Sequence, residues 1–228
     1  MSEPLSHRTA ATDVFVVLAA IVAAWLASKW VFYPALAVPD NAPVILRPIT
    51  GFLVAWWLLH RRGQGWHSLG LRAPDAWWLA IVGCIALYLV NLALSRWVVP
   101  VLAQWLHAQP QAPFIGYVHG NTIAFLGWLG IGIVVGGFFE ELLFRGFLQN
   151  RIAEIFDRGY VGLTLGIVGQ AVIFGALHLY AGAFGFVYAA VFAVVNGVFY
   201  LLLRRNLWPL IVVHAAVDSA GIWEVYTS

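Results

Sequence analysis

Glu140 and Glu141 stand side by side in GGFFEELLFRGFL (136–148), directly after the apolar run that contains Ile131, Ile133, Val134, Val135, Phe138 and Phe139. Ionisable groups inside such a run are costly in a membrane and need a partner. On helical spacing Glu141 and Arg145 are four apart and face each other, so one carboxylate has its counter-charge. Glu140 points about 100° away and needs another partner or a proton. A carboxylate in low dielectric without a full counter-charge binds protons more tightly, which is one way to make a general base. The plainer reading is that the three charges only mark a helix end near the headgroups.

Two later histidines weigh against that plainer reading. His178 sits in AVIFGALHLY, one turn after Phe174, and His214 sits in LIVVHAAVDSAG, four before Asp218 and on the same helical face. A lone histidine in a membrane helix most often makes an interhelical hydrogen bond. Glu140, Glu141, His178, His214 and Asp218 together, with Asn196 as a weaker addition, are hard to satisfy except by meeting in one polar cavity. Glu140 lies 19 residues before Gly159 and His178 lies 19 after it. At about 1.5 Å per residue, two straight helices would bring them to the same depth. His214, only about ten residues from Arg204 and Arg205, fits this ruler less well. A break at Gly162, Gly166 or Gly169, or a flatter 140–158 segment, would reconcile it.

The chemistry open to this set is narrow. No serine or cysteine stands beside a histidine with a third member, so nucleophilic catalysis is disfavoured; Ser219 beside Asp218 forms no such arrangement. Glutamate and histidine can orient and deprotonate a water that attacks a carbonyl carbon, while a second histidine donates to the developing oxyanion. Glu140, His178 and His214 could instead hold a divalent metal such as zinc, although the HExxH spacing is absent. The cofactor stays open at this point.

The elements that must carry these residues follow from composition. Of 228 residues, 62% are hydrophobic and 10% charged, with mean hydropathy +0.86, where a soluble domain is about a quarter charged. This is an integral membrane protein with membrane lipids as partners. Twelve tryptophans fit interfacial positions, and 22 glycines fit close helix packing. A net charge of +2 leaves no footprint for nucleic acid, and the one cysteine, Cys84, makes no intrachain disulfide. The first apolar stretch lacks the basic leader of a cleavable signal and is expected to be retained.

The expected fold is all-α: a polytopic transmembrane bundle of about seven spanning helices, with room for an eighth, plus interfacial amphipathic segments. The spans read as Asp13–Tyr33 with Lys29 near its far end, Ile45–Leu59, Ala76–Val99, Asn121–Phe139, Tyr160–Leu179, Phe186–Leu203 and Leu207–Trp223. Pro34, Pro39 and Pro43, with Asp40 and Asn41, punctuate the first connection, and Arg47 and Pro48 blur the start of the second span. Residues 60–75 form a polar loop. Residues 101–119, around Pro110 and Pro113, read as an interfacial helix and loop whose apolar face could gate a substrate. Residues 140–158 read as an amphipathic continuation ended by Gly159.

With the amino terminus in the cytoplasm, nine basic residues fall on the cytoplasmic side, Arg145 among them, and Lys29, Arg47 and Arg96 fall on the other. That bias predicts a multi-pass protein of the inner (plasma) membrane with the Glu140 end on the cytoplasmic side. No internal repeat is present, and 1–228 reads as one membrane domain. The missing repeat also argues against a transporter.

FEELLFRG, FGALH and HAAVD, in this order within apolar helices, resemble the type II CaaX prenyl endopeptidases and the bacteriocin-processing or immunity proteins of the CPBP family. The resemblance covers roughly 125–222, taken as a catalytic core. It implies an intramembrane endopeptidase, named in the family as a metalloprotease although a metal-independent glutamate mechanism has also been argued. Its substrate would be a peptide or lipidated protein, such as a prenylated or CaaX-like C-terminus, cut near the cytoplasmic membrane face. Carried over, it implies that Glu140 activates water with His178, that Glu141 and Arg145 shape the site, and that His214 with position 218 stabilises the oxyanion. Where the family commonly ends its last motif in asparagine, this chain has Asp218, which as a carboxylate would orient and charge His214 rather than donate. The alternative is a non-catalytic immunity or scaffold protein that binds a peptide in the same cavity. The oligomeric state is not readable.

Overall fold

A chain this apolar has to satisfy its backbone groups within itself, and the described residues do so with helices alone. The computed structural model describes residues 6–28, 30, 42–108 and 117–228. Seven long helices run through them: α1 (His7–Ala27), α2 (Ala42–Arg61), α3 (Trp77–Trp105), α4 (Thr122–Ile155), α5 (Tyr160–Leu177), α6 (Gly182–Leu202) and α7 (Trp208–Thr227). Five of them, α1, α3, α4, α5 and α6, are long and apolar enough to cross a bilayer. Among the described residues, five candidates therefore stand beside the seven spans expected from sequence. In α7, His214, Asp218 and Glu224 interrupt the apolar run. The expectations for Lys29, for the connection with Pro34, Pro39, Asp40 and Asn41, and for Pro110 and Pro113 lie outside the described residues.

Helix α4 is where the structure departs most from the expected pattern. The span expected to end at Phe139, with an amphipathic continuation beyond it, instead runs as one candidate span to Ile155, with π-helical stretches at Gly132–Glu140 and Leu142–Leu148. Such stretches are rare and gather at functional sites. From Glu141 to Glu154 every residue is buried. The polar side chains of this segment face partners on other helices. Gln149 Nε2 donates to Gly197 O at 3.0 Å, and Asn150 Nδ2 donates to Tyr200 Oη at 2.9 Å. Arg151 Nη1 donates to Glu154 Oε2 at 2.8 Å, and its Nε lies 3.2 Å from Asp13 Oδ2. Asp13 is also held by Arg62, whose Nε donates to Oδ2 at 3.0 Å. Gly159 caps the start of α5, and the chain turns before it through Asp157 and Arg158 at positive φ.

Helix α5 is unbroken. Its glycines let it press on α4: a Cβ at Gly166 would stand 2.6 Å from Gln149 O. Helix α3 passes through Pro100 to Trp105, beyond the expected end at Val99, with a π-helical stretch at Leu94–Val98 ahead of the proline.

The loop between α2 and α3 docks on the turn between α6 and α7. Leu207 N donates to Gly70 O at 3.0 Å, Tyr200 Oη donates to Leu69 O at 2.7 Å, and Asn206 Nδ2 donates to Arg72 O at 3.0 Å. Gly70 takes φ 107°, and a Cβ there would overlap Arg205 O at 1.8 Å. Only glycine suits that position. This turn therefore sits inward, with Leu207 packed at the level of Gly146. That depth explains why His214 reaches the glutamates although the ruler from the Arg204–Arg205 turn placed it short of them.

Candidate active site

Glu141 is fully buried and shared between two helices. Its Oε1 lies 2.9 Å from Arg145 Nη1 on α4 and 2.7 Å from His214 Nδ1 on α7. The pairing with Arg145 is the one that i,i+4 spacing anticipates. The pairing with His214 crosses 73 residues and has no sequence signal. A carboxylate can only accept, so Nδ1 of His214 carries the hydrogen. On the other side of the ring, Nε2 lies 3.7 Å from Asp218 Oδ2 and 3.9 Å from Glu140 Oε2. Those separations exceed a hydrogen bond and leave a gap that a water or a substrate oxygen could bridge.

Phe174 joins His178 to this group. The His178 ring centroid is 4.6 Å from Phe174, the His214 ring is 6.3 Å from it, and Phe144 meets it edge-on at 4.8 Å. Arg145 lies over the same ring at 4.9 Å and over Phe192 at 5.6 Å, so cation–π contact supplements its single ion pair. His178 caps the end of α5, and its Nδ1 is 2.8 Å from Phe174 O. The carbonyl only accepts, so Nδ1 holds the proton and Nε2 presents its lone pair.

The close approach of α4 and α7 rests on missing side chains. A Cβ at Gly136 would stand 2.2 Å from Asp218 Oδ2, and one at Gly137 would stand 2.7 Å from Ala215 Cβ. Exposure rises across the cluster, from 0% at Glu141 and Arg145 through 5% at His214 and 14% at Glu140 to 33% at Asp218.

Arg47 and Tyr180 belong to the same neighbourhood and were not singled out from sequence. Gly51 on α2 packs on Leu143, and Phe52 stacks on Phe139 at 4.4 Å. One turn earlier on α2, Arg47 comes level with Glu140, within electrostatic reach of Glu140, His178 and Tyr180. Read from sequence as a charge that blurs a helix start, Arg47 lies inside α2, on the side of the cluster. Asn196 is bound within its own helix, its Nδ2 donating to Phe192 O at 2.9 Å.

Among the described residues, no three His, Cys, Asp or Glu side chains group so as to hold a metal ion. Glu140, His178 and His214 share a neighbourhood without forming a coordination set. What the cluster offers is a carboxylate, an imidazole with a bare Nε2 and a second imidazole anchored by Glu141.

Residues 122–220 match a family model described as Type II CAAX prenyl endopeptidase Rce1-like. No curated protein and no solved structure matches the chain. The matched stretch begins at the first residue of α4 and ends on α7 two residues past Asp218, so it contains Glu140, Glu141, Arg145, His178, His214 and Asp218.

Proposed function

We propose that this membrane protein, whose residues 122–220 match the Rce1-like family model, is an intramembrane endopeptidase that hydrolyses a peptide bond with water activated by Glu140. The observation that carries this reading is the Glu141-anchored His214, which has Glu140 3.9 Å from its Nε2 and His178 on the other side of Phe174.

In this mechanism the attacking water sits between Glu140 and the bare Nε2 of His178. Glu140 takes its proton as the oxygen bonds to the peptide carbonyl carbon. His214 in its doubly protonated form points Nε2–H into the gap beside Glu140 and Asp218 and donates to the oxyanion of the tetrahedral intermediate. Glu141 fixes the ring by accepting from Nδ1, and Arg145 holds Glu141 in place. As the intermediate collapses, the C–N bond breaks and Glu140 returns its proton to the leaving amine. Asp218, 3.7 Å from Nε2, supplies negative charge beside the imidazolium.

The catalytic core is 122–220, and α1 to α3 support it within one membrane domain. The test is cleavage of a peptide panel, with and without a farnesyl group, by purified protein beside Glu140→Gln, each with chelator and with added zinc. Cleavage by the wild type alone, unaffected by chelator, supports a glutamate-activated water. Chelator-sensitive cleavage refutes the metal-free route. Equal peptide capture by both proteins without cleavage would establish a binding protein instead.

A further inference from the structure

The site is closed on one side and open on the other. From Glu141 toward Ile155, fourteen consecutive residues are buried, and Arg145, Gln149 and Arg151 are enclosed with them. Exposure grows the opposite way, through His214 and Glu140 to Asp218. On that open side stand Tyr180 in the turn after α5, Tyr188 on α6 and Arg47 at the start of α2. A reactant reaches the gap beside Glu140 past Asp218, since the route past Arg145 is filled.

The closed side faces the arginine-rich end of the bundle. There His7 Nε2 lies 2.7 Å from Asp157 Oδ1, Arg62 and Arg151 hold Asp13, and Arg72 Nη2 reaches Arg204 O at 3.4 Å. These contacts bring the start of α1, the loop after α2 and the turns before α5 and α7 to one end, with Arg8, Arg61, Arg72, Arg158, Arg204 and Arg205. Helix α5 leads away from that end, and His178 at its far terminus lies about 27 Å off for its 18 residues. Among the described residues, only Arg47 and Arg96 are arginines lying toward the opposite end. Arginine in short loops marks the cytoplasmic face.

We infer that the site opens away from the arginine-rich, cytoplasmic end, and that its substrates are peptide segments presented in the outer half of the bilayer or beyond it. This rests on the peptidase reading for the word substrate. It reverses the cytoplasmic placement of the Glu140 end, which depended on a span that ended at Phe139.

Thiol accessibility tests the inference without requiring activity. In a Cys84→Ala background, single cysteines are placed by Ala183→Cys at the open side, Asp218→Cys in the site and His67→Cys at the arginine-rich end. Intact spheroplasts are treated with a membrane-impermeant maleimide before and after permeabilisation. The inference predicts labelling of positions 183 and 218 in intact spheroplasts and of position 67 only after permeabilisation. Labelling of 218 only after permeabilisation, or of 67 in intact spheroplasts, overturns it. If Asp218→Cys does not accumulate in the membrane, Tyr188→Cys on the same wall replaces it under the same criterion. A protein that labels as predicted yet cleaves no peptide would refute the peptidase and leave the sidedness standing.

Discussion

His214 Nδ1 lies 2.7 Å from Glu141 Oε1, and that same oxygen is 2.9 Å from Arg145 Nη1. One carboxylate thus joins a cation on its own helix to an imidazole on another. Glu140, its neighbour in sequence, makes neither contact and faces the gap. Adjacent glutamates therefore have different work, and substituting them should have different consequences.

Glu141→Gln removes the ion-pair partner that the fully buried Arg145 has among the described residues. Breaking a buried pair on one side costs about 3–5 kcal/mol. The thermal unfolding midpoint in detergent should fall markedly, while Glu140→Gln should unfold close to the wild type. Equal midpoints for the two variants would contradict the division of roles.

Gly136→Ala drives a methyl group to 2.2 Å from Asp218 Oδ2. Overpacking of this kind costs about 1–3 kcal/mol and would push α7 away from α4. Peptide cleavage should drop more than stability does, and Asp218→Gly in the same chain should restore part of it. No change in either rate would mean that the helices can separate without disturbing the site.

Asp13→Asn leaves Arg62 and Arg151 sharing a neutral amide where they now share a carboxylate. Arg151 keeps Glu154 as a partner, so the unfolding midpoint should fall, but by less than in Glu141→Gln. Activity measured well below the midpoint should persist, because this network lies at the far end of α5 from His178. A loss of cleavage without a loss of stability would point to a direct role that the geometry does not suggest.

Gly70→Ala places a side chain where φ is 107° and Arg205 O is 1.8 Å away. The loop at 62–76 should then detach from the turn before α7, and limited proteolysis should cut it faster than in the wild type. An unchanged cleavage pattern would refute the docking.

Local spacing made part of this legible. An i,i+4 rule finds Glu141 with Arg145, and apolar runs find α5 and α6 to within a few residues. The rest depends on partners far away in sequence. Asp218 is the nearest carboxylate to His214 along its own helix, yet Nδ1 bonds to Glu141, a partner on a different helix. The polar residues of 140–158 suggested an exposed face because Asp13, Gly197 and Tyr200, which meet them, lie far from that segment. Arg47 looked like a breaker of α2 because its level with Glu140 follows from the packing of Gly51 on Leu143. The depth of His214 depended on a turn pulled inward by Gly70.

Cleavage by the wild type and by Glu140→Gln, on a peptide that the purified wild type cuts, bears most directly on the central claim. A general base contributes about 10²–10⁴-fold. The account predicts a rate reduced by at least the lower of these factors, with peptide affinity and unfolding midpoint close to those of the wild type. A Glu140→Gln protein that cleaves within a few-fold of the wild type would contradict it.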